Sequence, residues 1–231
     1  MPGQFINRAN LGGLKLTNNS NGGNFAMSAA SSTPSIVSSG LTLNVDASNV
    51  TSYPGSGATW YDLSGNSNNV TLFNTPVYSS NDGGYISFNG SNQYGSVTIT
   101  QPTYYTMCVW AYIPTLSVGP GVIGSIWIGG GNAFQFNNAF TNYSVSSSTW
   151  YFVVGVQDNT IPQQKIYVNA SSANTSAVNG TTVFDSPFVI GKRRDDVYSN
   201  CRVGQVMTYN RALTSIEVTQ NYDATKTRFG L

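Results

Sequence analysis

Tyr94, Tyr143 and Tyr198 stand near predicted loops, with asparagines abundant around them, and an aromatic face beside amides suits sugar contact. Tyr53, Tyr78 and Tyr104 share such surroundings. The same combination suits a polar, weakly charged oligomer interface, where Tyr is enriched. Nucleophilic and metal chemistry find less to work with. The chain contains no His, which removes Ser-His-Asp and Cys-His schemes and His-based metal sites. The two cysteines, Cys108 and Cys201, fall in predicted strands and read as buried thiols rather than a disulfide framework. Synthesis in a reducing cytoplasm fits them. No Walker-type phosphate loop is present, and Gly129-Gly130-Gly131 follows a strand without a capped helix after it.

The elements that position these groups read as strands. Short apolar or alternating runs recur at Leu41–Val45, Tyr85–Phe88, Ser96–Ile99, Tyr105–Ile113, Val122–Ile128, Tyr151–Val156, Lys165–Val168, Phe188–Ile190 and Val203–Tyr209. Turn residues punctuate them at Asp82-Gly83-Gly84, Asn89-Gly90, Gly129-Gly130-Gly131-Asn132 and Asn179-Gly180. Many short strands at close spacing argue for an antiparallel sandwich. In Tyr105–Ile113, Tyr105, Met107, Val109 and Ala111 share one face, and Thr106, Cys108, Trp110 and Tyr112 share the other. Both faces are largely apolar, which predicts a strand in the middle of a sheet. One short helix is expected after Leu213. Thr214 and Glu217 are spaced for a capping box, and Leu213 and Val218 for a hydrophobic staple. Trp60, Trp110, Trp127 and Trp150 are expected in the core.

With 231 residues the chain can build one large β domain plus an arm. Charged residues make up 8% of it, against an average of about 25%, so solubility must come from Asn, Ser, Thr and Gly. The net charge of +1 provides no broad field for nucleic acid or anionic lipid. Lys192-Arg193-Arg194 is the one basic cluster, and Asp195 and Asp196 follow it at once, as in a solvated loop. Met1-Pro2-Gly3-Gln4 opens without an apolar leader core. No run approaches the ~20 apolar residues of a membrane span, so neither a signal peptide nor membrane insertion is expected.

Residues 1–39 read differently from the rest. Gly12-Gly13 and Asn18-Asn19-Ser20-Asn21-Gly22-Gly23 break the chain repeatedly, and Ser28–Ser39 is a Ser/Ala/Thr/Pro linker. Such a segment buries too little apolar surface to fold alone. It is read as an extended assembly arm that gains order against a neighbouring subunit through Phe5, Ile6, Leu11, Leu14 and Leu16, with an arm packed on its own domain as the alternative. Residues 40–231 are read as the sandwich.

Six segments in register then carry a family resemblance. Trp60-Tyr61-Asp62-Leu63-Ser64-Gly65-Asn66 resembles the WxDxSGxxN stretch of laminin-G-like, concanavalin A-like jelly-roll domains. Ile86-Ser87-Phe88-Asn89-Gly90, Tyr105–Pro114 with its central Trp110, Trp150–Val156 and Ile166-Tyr167-Val168-Asn169 follow in that family's order. Tyr209-Asn210-Arg211-Ala212-Leu213 is similar to its closing signature. The resemblance covers residues 41–230 and implies an antiparallel jelly-roll sandwich with one C-terminal helix. The lead into Leu43-Asn44-Val45-Asp46 and the ending at Asn221–Leu231 are similar to laminin-G-like domains of tailed-phage structural proteins. That likeness implies a virion protein assembled in the host cytoplasm: a capsid decoration, fibre or tail appendage.

Departures from the pattern bear on cofactors. Where the family often carries an acidic turn, this chain has Phe88-Asn89-Gly90-Ser91-Asn92-Gln93, so amides replace the carboxylates that would hold Ca²⁺. Asp46, Asp62 and Asp82 remain as candidate Ca²⁺ ligands, although Asp46 and Asp62 also suit Asx turns; no cofactor is the expectation. Cys201 stands where Gly is usual, Gln205 where Glu is usual, and Ala170 where the strand-ending Gly is usual. The fold hosts glycosidases, which need two carboxylates across the scissile bond. This chain has a single Glu, Glu217, already spent on the helix cap. The expectation is therefore no catalysis. The partners expected are other virion proteins or copies of the chain through residues 1–39, giving a homo-oligomer in the assembly, with a host-surface glycan as a further partner. A free lectin module is the alternative.

Overall fold

Strands dominate because the apolar residues come in short runs that fill one or both faces of a pleated sheet. The structure is a computed structural model, and it describes residues 14–15, 28–29, 34–100, 103–117, 119–137, 139–177, 184 and 186–231. In chain order the first strands are Leu14–Lys15 (β1), Ser28–Ala29 (β2), Leu41–Asp46 (β3), Thr59–Trp60 (β4), Val70–Phe73 (β5) and Val77–Ser79 (β6). Then come Tyr85–Asn89 (β7), Tyr94–Val97 (β8), Tyr105–Tyr112 (β9), Gly121–Ile123 (β10), Ile126–Gly129 (β11) and Ala133–Phe136 (β12). The rest are Ala139–Ser144 (β13), Trp150–Asp158 (β14), Gln163–Val168 (β15), Ser171–Ala177 (β16), Phe188–Ile190 (β17) and Asn200–Tyr209 (β18). A helix, Ser215–Thr225 (α1), and a 3₁₀ turn, Lys226–Phe229, close the chain.

The chain divides into two compact units, Met1–Pro34 and Ser35–Leu231. In the first, β1 and β2 pair antiparallel, with Leu14 opposite Ala29. Of the other apolar arm residues, Phe5, Ile6, Leu11 and Leu16 lie outside the described residues. The second unit holds two eight-stranded sheets. One runs β16-β15-β14-β9-β18-β7-β6, with β3 also paired to β18; the other runs β13-β12-β11-β10-β17-β8-β5-β4. All the pairings are antiparallel. This is the expected sandwich.

Its main core lies between the sheets and contains Tyr105, Met107, Val109 and Ala111 from the centre of the first sheet. The opposite face of β9 enters a second core, in which Cys108 and Trp110 meet Phe152, Val154, Tyr209, Val218 and Phe229. The two faces therefore separate as their alternation predicts. Around Gly204 the register of β18 against β9 shifts, and Val203 and Val206 both face the inner core. The free cysteines are buried in different cores, Cys201 between the sheets and Cys108 beneath the helix.

The helix seals the outer face of the first sheet. Thr214 Oγ1 accepts from Glu217 N (3.3 Å), and the Glu217 carboxylate accepts from Thr214 N (2.9 Å), completing the capping box. Leu213 and Val218 are both buried, as a staple requires. Trp110 stacks on Phe229 with centroids 4.2 Å apart and donates from Nε1 to Thr225 Oγ1 (2.7 Å). Val37 completes the seal. Its N–H donates to Asn221 Oδ1 (2.8 Å), and its carbonyl accepts from the buried Tyr209 hydroxyl (3.0 Å).

Candidate functional site

The outer face of the second sheet has the opposite character, since among the described residues no helix packs on it. Alternation in β5 turns Val70 and Leu72 inward and leaves Thr71 and Phe73 exposed. Register then places Phe73 opposite Tyr94 and Thr71 opposite Ser96. The Phe73 and Tyr94 rings stack with centroids 4.6 Å apart and planes 8° apart, and Phe73 stays 38% exposed. Beyond β17 the chain makes an excursion closed by a bridge between Lys192 and Tyr198. This brings the Tyr198 ring to 6.1 Å from Tyr94, edge-on, and Lys192 Nζ to 4.0 Å from the Tyr94 centroid. Tyr94 and Tyr198, some hundred positions apart, thus share one aromatic patch with Phe73.

Amides frame this patch. Asn89 Oδ1 accepts from the N–H groups of Ser91 (2.9 Å), Asn92 (3.1 Å) and Gln93 (3.3 Å). An amide thus organises the turn where the resembling family often has carboxylates. Gln93 Nε2 donates to the carbonyls of Asn74 (3.1 Å) and Thr75 (2.9 Å), tying this turn to the one after β5. The Lys192-Arg193-Arg194 loop pairs internally, Lys192 with Asp196 (2.6 Å) and Arg193 with Asp195. Arg193 also lies 5.5 Å from the Trp127 ring. Trp127, expected in the core, is half-buried on this outer face, whereas Trp60, Trp110 and Trp150 are buried. The reason is parity: Ile126 and Ile128 take the inward positions of β11, which turns Trp127 outward.

Tyr143 does not join the patch. It sits in edge strand β13, 6.0 Å from Tyr151 and five strands from β8, roughly 24 Å away at about 4.8 Å per strand. Tyr53 and Tyr78 instead line a cleft of ≈ 430 Å³ together with Gly55, Ser56, Gly57, Ala58, Leu72, Asn74, Thr75 and Pro76. Tyr104 is exposed.

The carboxylates stand apart from these rings. Asp62 Oδ1 accepts from the N–H groups of Asn44 (2.8 Å) and Ser64 (2.9 Å), and its Oδ2 from Ser64 Oγ (2.7 Å) and Asn68 N (3.0 Å). It is the hub of a turn. Asp46 accepts from Ser48 N (2.8 Å) and pairs with Arg228. Asp82, in left-handed conformation, lies 4.0 Å from Arg202. Among the described residues no three His, Cys, Asp or Glu side chains gather as a metal site would require. Glu217 is forked by Arg211, with Nη1 to Oε2 at 3.0 Å and Nη2 to Oε1 at 2.6 Å. Those bonds, with those from the Thr214 N–H and hydroxyl, hold its carboxyl at about 2. Burial pushes the Cys201 thiol up to about 12 and raises Cys108 as well, so neither supplies a thiolate.

Comparison with known proteins settles the lineage. A family model described as Concanavalin A-like lectin/glucanases superfamily matches residues 81–219. The chain belongs to this superfamily. No curated protein matches its sequence. Solved structures similar to this superfamily member include a sialidase of Trypanosoma rangeli in complex with the inhibitor DANA, at 19% identity and TM-score 0.60. That match covers 86% of the present chain and 36% of the sialidase, so the chain spans about a third of that protein. Domain 4 of AbnA, an extracellular arabinanase of Geobacillus stearothermophilus bound to arabinotriose, is similar at 15% identity and TM-score 0.63, covering 79% and 98% of the two chains. The binding domain of Paraclostridial Mosquitocidal Protein 1 is similar at 18% identity and TM-score 0.57, covering 79% and 52%. At these identities the likeness concerns the fold.

Proposed function

We propose that this superfamily member is a non-catalytic carbohydrate-binding sandwich. The carrying observation is the aromatic patch of Phe73, Tyr94 and Tyr198 on an outer face without a covering helix, while the other outer face is sealed. Rings standing among amides match the alternation of C–H faces and hydroxyls on a sugar. The similar arabinanase domain, solved with arabinotriose, supports the reading by analogy. Glycoside cleavage would require a carboxylic acid that keeps its proton near neutral pH. The single Glu does the reverse, since Arg211 holds it ionised. A glycan array probed with the full chain is expected to yield a binder, and Phe73→Ala and Tyr198→Ala each to weaken it at least tenfold. An array without any binder, or variants that bind as wild type does, would reject the patch as the site.

A second reading concerns where the sandwich is displayed. Met1–Pro34 forms a compact unit of its own, and an arm laid along a neighbour adds affinity through main-chain hydrogen bonds. Together with the resemblance to tailed-phage proteins, this supports a virion surface protein: a decoration, fibre or tail appendage, anchored by its arm and homo-oligomeric in place. Deleting residues 1–34 is expected to abolish incorporation into particles while the sandwich stays folded. Normal incorporation of the shortened protein would end this reading.

A further inference from the structure

The cleft lined by Tyr53 and Tyr78 is separate from the patch and differs from it in chemistry. Its lining contains no group that is charged at neutral pH. It has one half-buried ring, Tyr78, facing a loop of small residues, Gly55-Ser56-Gly57-Ala58. Tyr53 is buried, 5.4 Å from Tyr78, and its hydroxyl donates to the Gly57 carbonyl (2.9 Å), so it forms a fixed wall. A Cβ at Gly55 would stand in van der Waals contact with Tyr78, 3.6 Å from Cε1, so the missing side chain widens the space beside that ring. Gly55 and Gly57 have φ of +95° and +106°, which other residues rarely adopt, so a side chain at either would strain the loop.

The opposite rim is strained. Asn74 and Thr75 have φ of +60° and +53°, and for a β-branched residue such a conformation is a true outlier. Two amide clamps hold it. Gln93 Nε2 binds both carbonyls, and Asn74 Nδ2 donates to Asn92 O (2.6 Å). Strained backbone persists only where the surrounding structure over-determines it, and such positions cluster at ligand sites.

We propose that this cleft is a second binding site, which takes a single uncharged sugar ring stacked on Tyr78. The volume fits one small ligand. A carboxylate, sulfate or phosphate would lose its hydration and meet no cation in the lining. Ser56, Asn74 and Thr75 bring two hydroxyls and the Asn74 amide oxygen to the lining, polar groups of the kind that meet a sugar's rim. The proposal deepens the carbohydrate reading by assigning a neutral saccharide to a site other than the patch.

The test is saturation-transfer NMR on the full chain with methyl α-mannoside, methyl β-glucoside, methyl β-galactoside, N-acetylglucosamine and, as the charged probe, N-acetylneuraminic acid. At least one neutral sugar is expected to bind, with affinity reduced tenfold or more by Tyr78→Ala and by Ser56→Arg, which fills the exposed mouth. Tyr198→Ala, which alters the patch away from the cleft lining, is expected to leave that binding unchanged. Loss in Tyr198→Ala with retention in both cleft variants would overturn the cleft and uphold the patch. Preference for the charged probe, or no neutral sugar bound while the array still finds a glycan, would likewise overturn the cleft. Silence in both assays would remove both.

Discussion

Ala170 occupies a backbone position suited to glycine. Asn169 and Ala170, with φ of +49° and +62°, are the central residues of the two-residue turn that joins Val168 to its partner Ser171. Such type I′ turns favour Asn-Gly, because both central residues lie in the left-handed region. A Cβ there costs on the order of 1 kcal/mol. Ala170→Gly is therefore expected to raise unfolding stability by about 1 kcal/mol in urea titrations; equal or lower stability would show that the turn is not strained. Of the three residues that depart from the family pattern, Ala170 is the one in a left-handed conformation. A second residue-scale effect concerns Glu217, whose carboxyl falls from 4.5 to about 2 on folding, through Arg211 first and then the Thr214 donors. A lowered carboxyl stabilises the fold above its unfolded value, and that contribution disappears as pH drops from 4.5 towards 2. Melting temperature should fall across that window in wild type and fall less steeply in Glu217→Gln. Parallel curves would mean that the Arg211 fork contributes nothing to stability, the fate of many exposed pairs.

Among the elements, the end of the Ser/Pro-rich lead is part of the sandwich. Ser35 O accepts from Gln220 Nε2 (2.8 Å), Ser39 O accepts from Arg211 Nε (2.9 Å), and Val37 satisfies the buried Tyr209 hydroxyl and Asn221 amide. Removing residues 1–34 should leave the melting temperature unchanged. Removing 1–39 should cost about 2–4 kcal/mol, since buried polar groups lose their partners and Val37 its burial. Equal melting temperatures for the two deletions would contradict this. Element by element, legibility followed burial. Strand β9 was readable because it is apolar on both faces. Val122–Ile128 reads as one run but is a hairpin turning at Gly124-Ser125, since all its residues but Trp127 are buried and no polar residue marks the reversal apart from Ser125. Strand β16, Ser-Ser-Ala-Asn-Thr-Ser-Ala, has no apolar period to detect. The patch was half legible: Tyr94 and Tyr198 stood out as loop tyrosines. Their meeting depends on β17 pairing with β8 across some ninety residues of chain. Phe73 is exposed by register alone.

At the scale of the whole molecule, the two outer faces of the sandwich differ. One is closed by aromatic packing against α1 and the lead segment, while among the described residues no helix covers the other. The carboxylates are spent on turns and ion pairs, so folding should proceed without metal. Melting in EDTA is expected to match melting in excess Ca²⁺, and a clear drop on chelation would restore a calcium site. No helix of the described residues is long and apolar enough to cross a membrane. The most direct test of the central claim is chemical-shift mapping of the isotope-labelled full chain titrated with the best glycan from the array. The largest shifts are expected to cluster at Phe73, Tyr94, Lys192 and Tyr198 on the second sheet. Shifts centred on α1 and the sealed face, or none at saturating glycan, would contradict it.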